Sequence, residues 1–271
     1  MPEGHVIHRL ARTLEDRFLG QTLMVSSPQG RFAREAALLD GHQLACAEAA
    51  GKQLFLHFDL EDPRHIVFIH LGLIGKFHVK PWTEPVGAVR LRIATEDWAA
   101  DLHGPQWCRL ITEEEQDAAL AKLGEDPLRA DADPERLWPR VHRSRRSIAA
   151  VLMEQGYFAG VGNIYRAETL FRLGISPERP CSELSHEEFL AIWEDLVGLM
   201  AEGVRAGRID TVRPEHTPEA MHRPPRVDDH GGEVYVYRRA GQPCWVCGEP
   251  IRTRVLNGRN LFWCPRCQHC P

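Results

Sequence analysis

No run of about 18 consecutive apolar residues occurs anywhere in the 271-residue chain, so the sequence offers no membrane-spanning helix. The amino end lacks a basic cluster followed by an apolar stretch, and no secretory signal is expected. An overall positive charge is missing as well: the formal net charge is −5, and whole-chain electrostatics do not announce a polyanionic partner. Nor are the eight cysteines spread as a disulfide framework, since Cys46, Cys108 and Cys181 are scattered and read as buried thiols. These absences leave a soluble, cytoplasmic protein of ordinary globular composition, long enough for two or three compact units.

The charge and cysteine that are present are concentrated. Residues 1–202 carry 22 Lys+Arg against 31 Asp+Glu, a net of −9, whereas residues 203–271 carry 11 against 7, a net of +4. A second basic stretch, Arg140, Arg143, Arg145 and Arg146, lies within the acidic part. Such patches suit a local polyanion footprint, and a solvated helix end gives the same pattern. The other five cysteines crowd into the last 28 residues. Of these, Cys244, Cys247, Cys264 and Cys267 have the two-knuckle spacing of a structural tetrathiolate site, and one Zn2+ is expected there. Cys270 reads as a bystander, because Cys264 and Cys267 already mirror the first knuckle. Between the knuckles, residues 251–255 and 260–263 read as a hairpin turning at Asn257-Gly258, with Arg259 at its tip. A guanidinium there suits phosphate, although a solvated turn arginine is equally ordinary.

At the other end, Met1-Pro2-Glu3-Gly4 precedes an apolar face made by Val6, Ile7, Leu10 and Leu14 at helical spacing. Removal of Met1 makes Pro2 a secondary amine at a helix start. An α-amino group ordinarily titrates near ~7.7–8.0, and the helix's partial positive charge disfavours the ammonium form. Pro2 is thus a candidate nucleophile with a candidate acid/base, Glu3, beside it; the same pair is also ordinary helix-start chemistry. Residues 21–111 hold strand-like runs at 54–58, 66–69, 76–79 and 89–93, which predict a mainly antiparallel β-sandwich with the first helix against it. Residues 123–134 shift towards turn formers and read as a connection. From Ser147 the period is helical: a helix stopped by Gly156, a second capped by Asn163 and closed by Gly174, and a third opened by a Ser185–Glu188 capping box. The Pro-, Asp- and Arg-rich segment 208–238 reads as irregular linker. Gly160-Val161-Gly162-Asn163 gives a close-approach turn before a helix start, a ready anion site or a plain helix–helix turn.

In this order the motifs resemble the formamidopyrimidine-DNA glycosylase and endonuclease VIII family of DNA glycosylases. The residues that carry the resemblance are Met1-Pro2-Glu3-Gly4, Gly51-Lys52, His70-Leu71-Gly72-Leu73, the linker at 123–128, residues 159–165 and the ribbon with Gly258-Arg259. The resemblance implies an α+β multidomain protein: an N-terminal β-sandwich with a helix (1–120), a linker (121–141), a helix-two-turn-helix domain (142–232) and a zinc finger (233–271). It implies a monomeric glycosylase and abasic-site lyase that acts on damaged DNA without a nucleotide cofactor, the damaged nucleotide being flipped out for attack. Pro2, Glu3 and Lys52 would be catalytic, with Lys52 gripping a phosphate near the lesion. His70, Leu73, Asn163 and Arg259 would contact DNA.

The substrate reading rests on departures from the purine-type pattern. Leu73 stands where purine-preferring members usually carry Met, and residues 101–105 (Asp-Leu-His-Gly-Pro) replace an Arg-Arg-Phe-Gly stretch. With the Pro-Glu-Gly opening, this resembles the endonuclease VIII branch, associated with oxidised pyrimidines. A non-catalytic zinc-ribbon damage-binding protein, or a purine-preferring glycosylase, is the alternative.

Overall fold

The computed structural model describes residues 2–227 and 232–269. Met1 and Cys270, on which two of the sequence expectations bear, and residues 228–231 of the expected linker lie outside them. The chain divides into two compact units, Met1–Lys122 and Leu123–Pro271, each with its own apolar core.

The first unit opens with α1 (Gly4–Phe18), whose Ile7, Leu10, Ala11, Leu14 and Phe18 are buried, as the apolar spacing predicts. The elements that follow are β1 (Met24–Ser26), α2 (Ala33–Leu39), β2 (Leu44–Ala50), β3 (Gln53–Phe58), β4 (Ile66–His70), β5 (Lys76–Pro81), β6 (Val89–Ala94), β7 (Trp98–His103), β8 (Trp107–Ile111) and α3 (Glu113–Leu120). The strands form two antiparallel four-stranded sheets, β1-β6-β7-β5 and β2-β3-β4-β8. Alternation sets what each face does. In the first sheet the paired Phe77–Leu102, Ile93–Ala100 and Val25–Ile93 point into the core, while Lys76–His103, His78–Asp101 and Arg92–Asp101 share the opposite face. A backbone bond from Ala47 to the Glu15 carboxylate (3.0 Å) ties α1 to β2. That bond matters because α1 carries the chain's amino end.

The second unit contains α4 (Pro134–His142), α5 (Ile148–Val151), α6 (Asn163–Arg172), α7 (His186–Ala206) and the hairpin β9 (Arg252–Leu256) and β10 (Arg259–Trp263). The α+β multidomain fold with sandwich, helical part and hairpin is the one expected. Details differ for physical reasons. The segment expected to be a linker carries α4, started by Asp133 accepting from Glu135 N (2.9 Å) and burying Leu137 and Val141. The helix from Ser147 lasts one turn and stops well before Gly156. Just beyond it the Gln155 carboxamide accepts from Gly160 N (3.1 Å) and donates to Val161 O (3.0 Å), holding a turn where a further helical turn was expected. Asn163 is not the N-cap of α6: Gly162 takes that place with extended backbone, and Asn163 is the first helical residue. Gly174 closes α6 in the left-handed conformation (φ 68°), and both hydrogen bonds of the Ser185–Glu188 capping box are present.

Among its described residues, the segment 208–238 has no helix or strand beyond a short 3-10 turn at Pro214–His216, yet Val234, Tyr235, Val236 and Tyr237 are buried in the core. What holds it is Glu168 on α6, 0% exposed. Its carboxylate accepts from the backbone of Tyr235 (2.6 Å), Val236 (2.9 Å) and Tyr237 (2.8 Å) and from Thr211 Oγ1 (2.5 Å). The anion is desolvated but fully hydrogen-bonded, the condition under which a buried charge is tolerated. Glu168→Gln puts an amide donor against these N–H groups and is expected to cost about 3 kcal/mol of stability. Urea unfolding measures it; an unchanged midpoint would show that the cradle does not hold this segment.

Candidate active site and metal centre

Pro2 is half-buried and immediately precedes α1. Glu3 is the N-cap by backbone geometry (φ −111°, ψ 177°), with Val6 N donating to its carbonyl at 3.0 Å. Its side chain makes no capping hydrogen bond and is 0% exposed. The Glu3 side chain is thus not the helix cap that Pro-Glu at a helix start suggests. His5, one residue on, is also buried, and desolvation above all, then the charges of Arg9 and the amino terminus, lower its pKa to about 4. At neutral pH it is an uncharged imidazole within the first turn of α1.

Lys52 sits in the two-residue turn between β2 and β3, where Gly51 supplies the left-handed conformation (φ 58°) and Ala50 pairs with Gln53. His70 ends β4, packs on Trp107 with ring centroids 4.7 Å apart, and accepts at Nδ1 from Gly72 N (3.0 Å). In the neutral ring the hydrogen then sits on Nε2. Burial, and after it the charge of Lys52, lowers the His70 pKa, so Lys52 and His70 share one electrostatic neighbourhood. Beyond His70 the chain makes a tight turn closed by Gly75 N to Leu71 O (3.1 Å). A Cβ on Gly75 would meet that carbonyl oxygen at 2.2 Å. The turn displays Leu73 at 60% and Ile74 at 80% exposure. Nothing in the sequence marks Ile74 as exposed, because an apolar residue in a Gly-flanked run reads as core.

In the second unit Asn163 is buried, with its Nδ2 donating to Asn260 O (3.0 Å) and its Oδ1 accepting from Arg166. Arg166, 1% exposed, also donates to Asn260 O (3.2 Å) and reaches Ala149 O (3.4 Å). Asn163 and Arg166 thus grip β10 one residue beyond Arg259. Arg259 opens β10 opposite Leu256, after a turn with Asn257 and Gly258 at φ 50° and 72°, the type I′ geometry that Asn-Gly predicts. Neither Arg166 nor Glu168 is visible as functional from sequence. Glu168 and Arg172 have the i,i+4 spacing of a surface pair, whereas in the fold Arg172 binds Asp195 (2.8 Å).

The four cysteine Sγ atoms of Cys244, Cys247, Cys264 and Cys267 lie within 4.8 Å of one another, with Cys244–Cys267 at 3.8 Å and Cys247–Cys264 at 3.4 Å. Four thiolates about 2.3 Å from a tetrahedral zinc stand about 3.8 Å apart, so the cluster fits the ion. Disulfide spacing would be about 2.05 Å. Backbone N–H groups of Val246 and Cys267 point at Cys244 and Cys264 Sγ, each at 3.4 Å, as expected where thiolate charge is held. The site is a structural Zn2+ centre with all four positions taken by protein, which leaves no open position for catalysis. Cys264→Ala is expected to release the metal and unfold the hairpin, read as loss of the one zinc per chain by metal analysis. Full zinc content in folded Cys264→Ala protein would overturn the ligand set.

Three family models match the chain in succession: the formamidopyrimidine-DNA glycosylase N-terminal domain at residues 1–105, the formamidopyrimidine-DNA glycosylase H2TH domain at 123–213, and the zinc finger found in FPG and IleRS at 241–269. Endonuclease 8 1 of Mycobacterium tuberculosis is 50% identical over 274 residues, covering 99% of this chain and 100% of that protein. Formamidopyrimidine-DNA glycosylase of Thermus thermophilus is 33% identical over 277 residues, covering 99% and 98%. Among solved structures, MutM (Fpg) from Thermus thermophilus superposes with a TM-score of 0.74 at 30% identity, covering 98% of both chains. Lactococcus lactis Fpg, solved with DNA containing an abasic site, shares the fold at a TM-score of 0.79 and 22% identity, covering 99% of this chain and 100% of that one.

Proposed function

Since the chain belongs to the family of formamidopyrimidine-DNA glycosylases and endonucleases 8, we propose that its glycosylase and abasic-site lyase chemistry in base excision repair runs through Pro2. The observation that carries this reading is the pairing of a helix-start proline with a buried carboxylate, Glu3, that does not cap the helix.

Removal of Met1 leaves Pro2 with a secondary amine. Its lone pair attacks C1′ of the flipped nucleotide; the N-glycosidic bond breaks, and its electrons leave with the base. Glu3 moves protons: it assists opening of the sugar ring as the nitrogen–C1′ bond becomes an iminium. The cationic nitrogen is an electron sink. Loss of a C2′ proton then expels the 3′ phosphate (β-elimination), and a second loss expels the 5′ phosphate (δ-elimination). One residue accounts for both base removal and strand cleavage. Lys52 beside His70 in the first unit, and Arg259 in the second, contact DNA phosphates, where sequence-independent electrostatics dominate affinity; the expected phosphate role of Asn163 gives way to a positioning one, because its carboxamide holds β10 beside Arg259. Leu73, with Ile74 next to it, fills the space the base leaves, as apolar side chains do at kinked steps. Oxidised pyrimidines are the preferred lesions on this reading. Asp101, at the position of the purine-type wedge stretch, is fully buried and clamped by Arg92 and Lys80, and so is occupied inside the protein. The 50% identity to a protein named endonuclease 8 supports the same branch.

Borohydride is expected to trap the protein on DNA carrying an oxidised pyrimidine or an abasic site, with the adduct on Pro2 by mass spectrometry. A version with extra residues before Pro2 turns the amine into an amide, and full activity in that protein would sink the mechanism. Gripping and reacting are separable on one lesion duplex. Arg259→Ala is expected to weaken binding to many sequences and flatten log K against log salt by roughly 1. Glu3→Gln is expected to keep affinity while single-turnover excision falls by about 10²-fold or more. If Glu3→Gln loses affinity as badly as Arg259→Ala yet excises normally once bound, the two roles are wrongly assigned.

A further inference from the structure

Pro2 lines one end of a groove of about 460 Å³ in the first unit. One wall is α1, through Val6, Arg9, Leu10 and Thr13; the other is β5, through Lys76, Phe77, His78 and Val79, with Leu71 and Gly75 between them. β5 is the last strand of its sheet, and among the described residues it pairs only with β7. The lining holds three basic side chains, Arg9, Lys76 and His78, over apolar Val6, Leu10, Leu71 and Phe77, and no acid. This contrasts with the unit as a whole, where residues 1–122 carry 13 Lys+Arg against 17 Asp+Glu.

The acid nearest this face is already committed. Asp101 is fully buried between Arg92 Nη1 (2.8 Å) and Lys80 Nζ (3.2 Å). Lys76 and His78 lie on the same face of β5 and are both exposed: among the described residues Lys76 makes no ion pair, and His78 has the ring of His103 at 6.2 Å. Burial and then the charges of His103, Lys76 and Lys80 lower the His78 pKa against the opposing charge of Asp101, so that it meets a phosphate as a neutral hydrogen-bonding ring. An edge strand can carry lysine merely to discourage pairing with other chains. That does not account for a groove with a cation on each wall and the proposed nucleophile at its end.

We propose that the groove between α1 and β5 seats the phosphodiester backbone of the lesion-bearing strand next to the reacting nucleotide, with Lys76 and His78 as positioning contacts. The proposal rests on the reading of Pro2 as the nucleophile. Charged rims hold phosphate oxygens while the apolar floor covers deoxyribose, the division of labour of a groove that tracks a nucleic-acid backbone. Holding the flanking phosphates fixes C1′ against the amine, so the loss should appear in excision as well as binding.

The test is the double variant Lys76→Ala/His78→Ala with lesion duplexes in which single phosphates flanking the lesion are replaced by uncharged methylphosphonates. Affinity for the unmodified duplex at low salt is expected to fall about 5- to 30-fold, and log K against log salt to flatten by roughly 1, the share of the Lys76 charge. One or two methylphosphonate positions should weaken the natural protein and leave the double variant unaffected. The proposal is overturned if the double variant binds every duplex as the natural protein does, or if each methylphosphonate costs both proteins equally, the outcome for lysine that only blunts an edge. Borohydride trapping on the same DNA keeps the two ideas apart. No adduct with the natural protein defeats the Pro2 mechanism; a normal adduct with no effect of the variants defeats only the groove. Thermal melts of both proteins should coincide, because both side chains are exposed.

Discussion

The carboxylate of Glu168 and the guanidinium of Arg166 stand two residues apart on α6, both buried, and they are not each other's partner. Two residues along a helix point in different directions, so each charge must be satisfied elsewhere. Glu168 takes three successive backbone N–H groups of 235–237, and Arg166 takes the carbonyl of Asn260 in β10. One helix therefore pins both the irregular arm that leads into the zinc knuckles and the hairpin between them. Neither charge is removable without leaving its partners unsatisfied in a dry interior, which costs more than either contact contributes when made. The zinc fixes the ribbon's own ends; α6 fixes where the ribbon sits within its unit.

Trp245 in the first knuckle extends this dependence. Arg239 lies over its ring at 3.5 Å and Arg223 at 4.2 Å, while its indole N–H donates to Val234 O (3.3 Å). Arg239 also donates to Tyr235 O and, at 2.6 Å, to Pro243 O. The arm, the loop carrying Arg223 and the knuckle thus share one stack of planar groups. Such stacking is worth ~1–2 kcal/mol per contact when desolvated. A segment without helix or strand can be as firmly held as one with them, provided its backbone groups find partners.

This explains which parts were legible beforehand. The zinc cysteines, the Asn257-Gly258 turn, the Ser185–Glu188 capping box and the alternation in β6 are interactions between residues a few positions apart or fixed by ligand spacing, and the sequence displays them. Asn163 is instructive because its local reading, a helix cap, was chemically reasonable and still failed. Gly162 takes the cap position, and the carboxamide is used against Asn260, 97 residues away. Glu168 binds residues 43 to 69 positions away, and Asp101 joins strands β5 and β6 through Lys80 and Arg92. Nothing in local composition distinguishes those acids from solvated ones. The segment 208–238 looked like linker because Pro, Asp and Arg are common there, and composition does not register that four consecutive residues, Val234 to Tyr237, are core.

Exposure of the wrong kind is the remaining clue, and it bears on the turn after β4. Leu73 and Ile74 are held out by a backbone turn that only glycine permits at position 75, so their exposure is built rather than accidental. In water the pair forgoes the roughly 1.5–3 kcal/mol that burying each would contribute. A fold that keeps them exposed at this cost, on a turn fixed at its base by His70 and Trp107, gains only when a surface covers them. In the proposed reaction, stacked bases parted at a flipped nucleotide would be that surface, and the energy recovered there would offset the unstacking that flipping requires. On the mechanism proposed above, the apolar tip and the buried carboxylate at Glu3 are complementary: one makes the extrahelical state accessible, and the other is held ready for proton transfer once C1′ reaches Pro2.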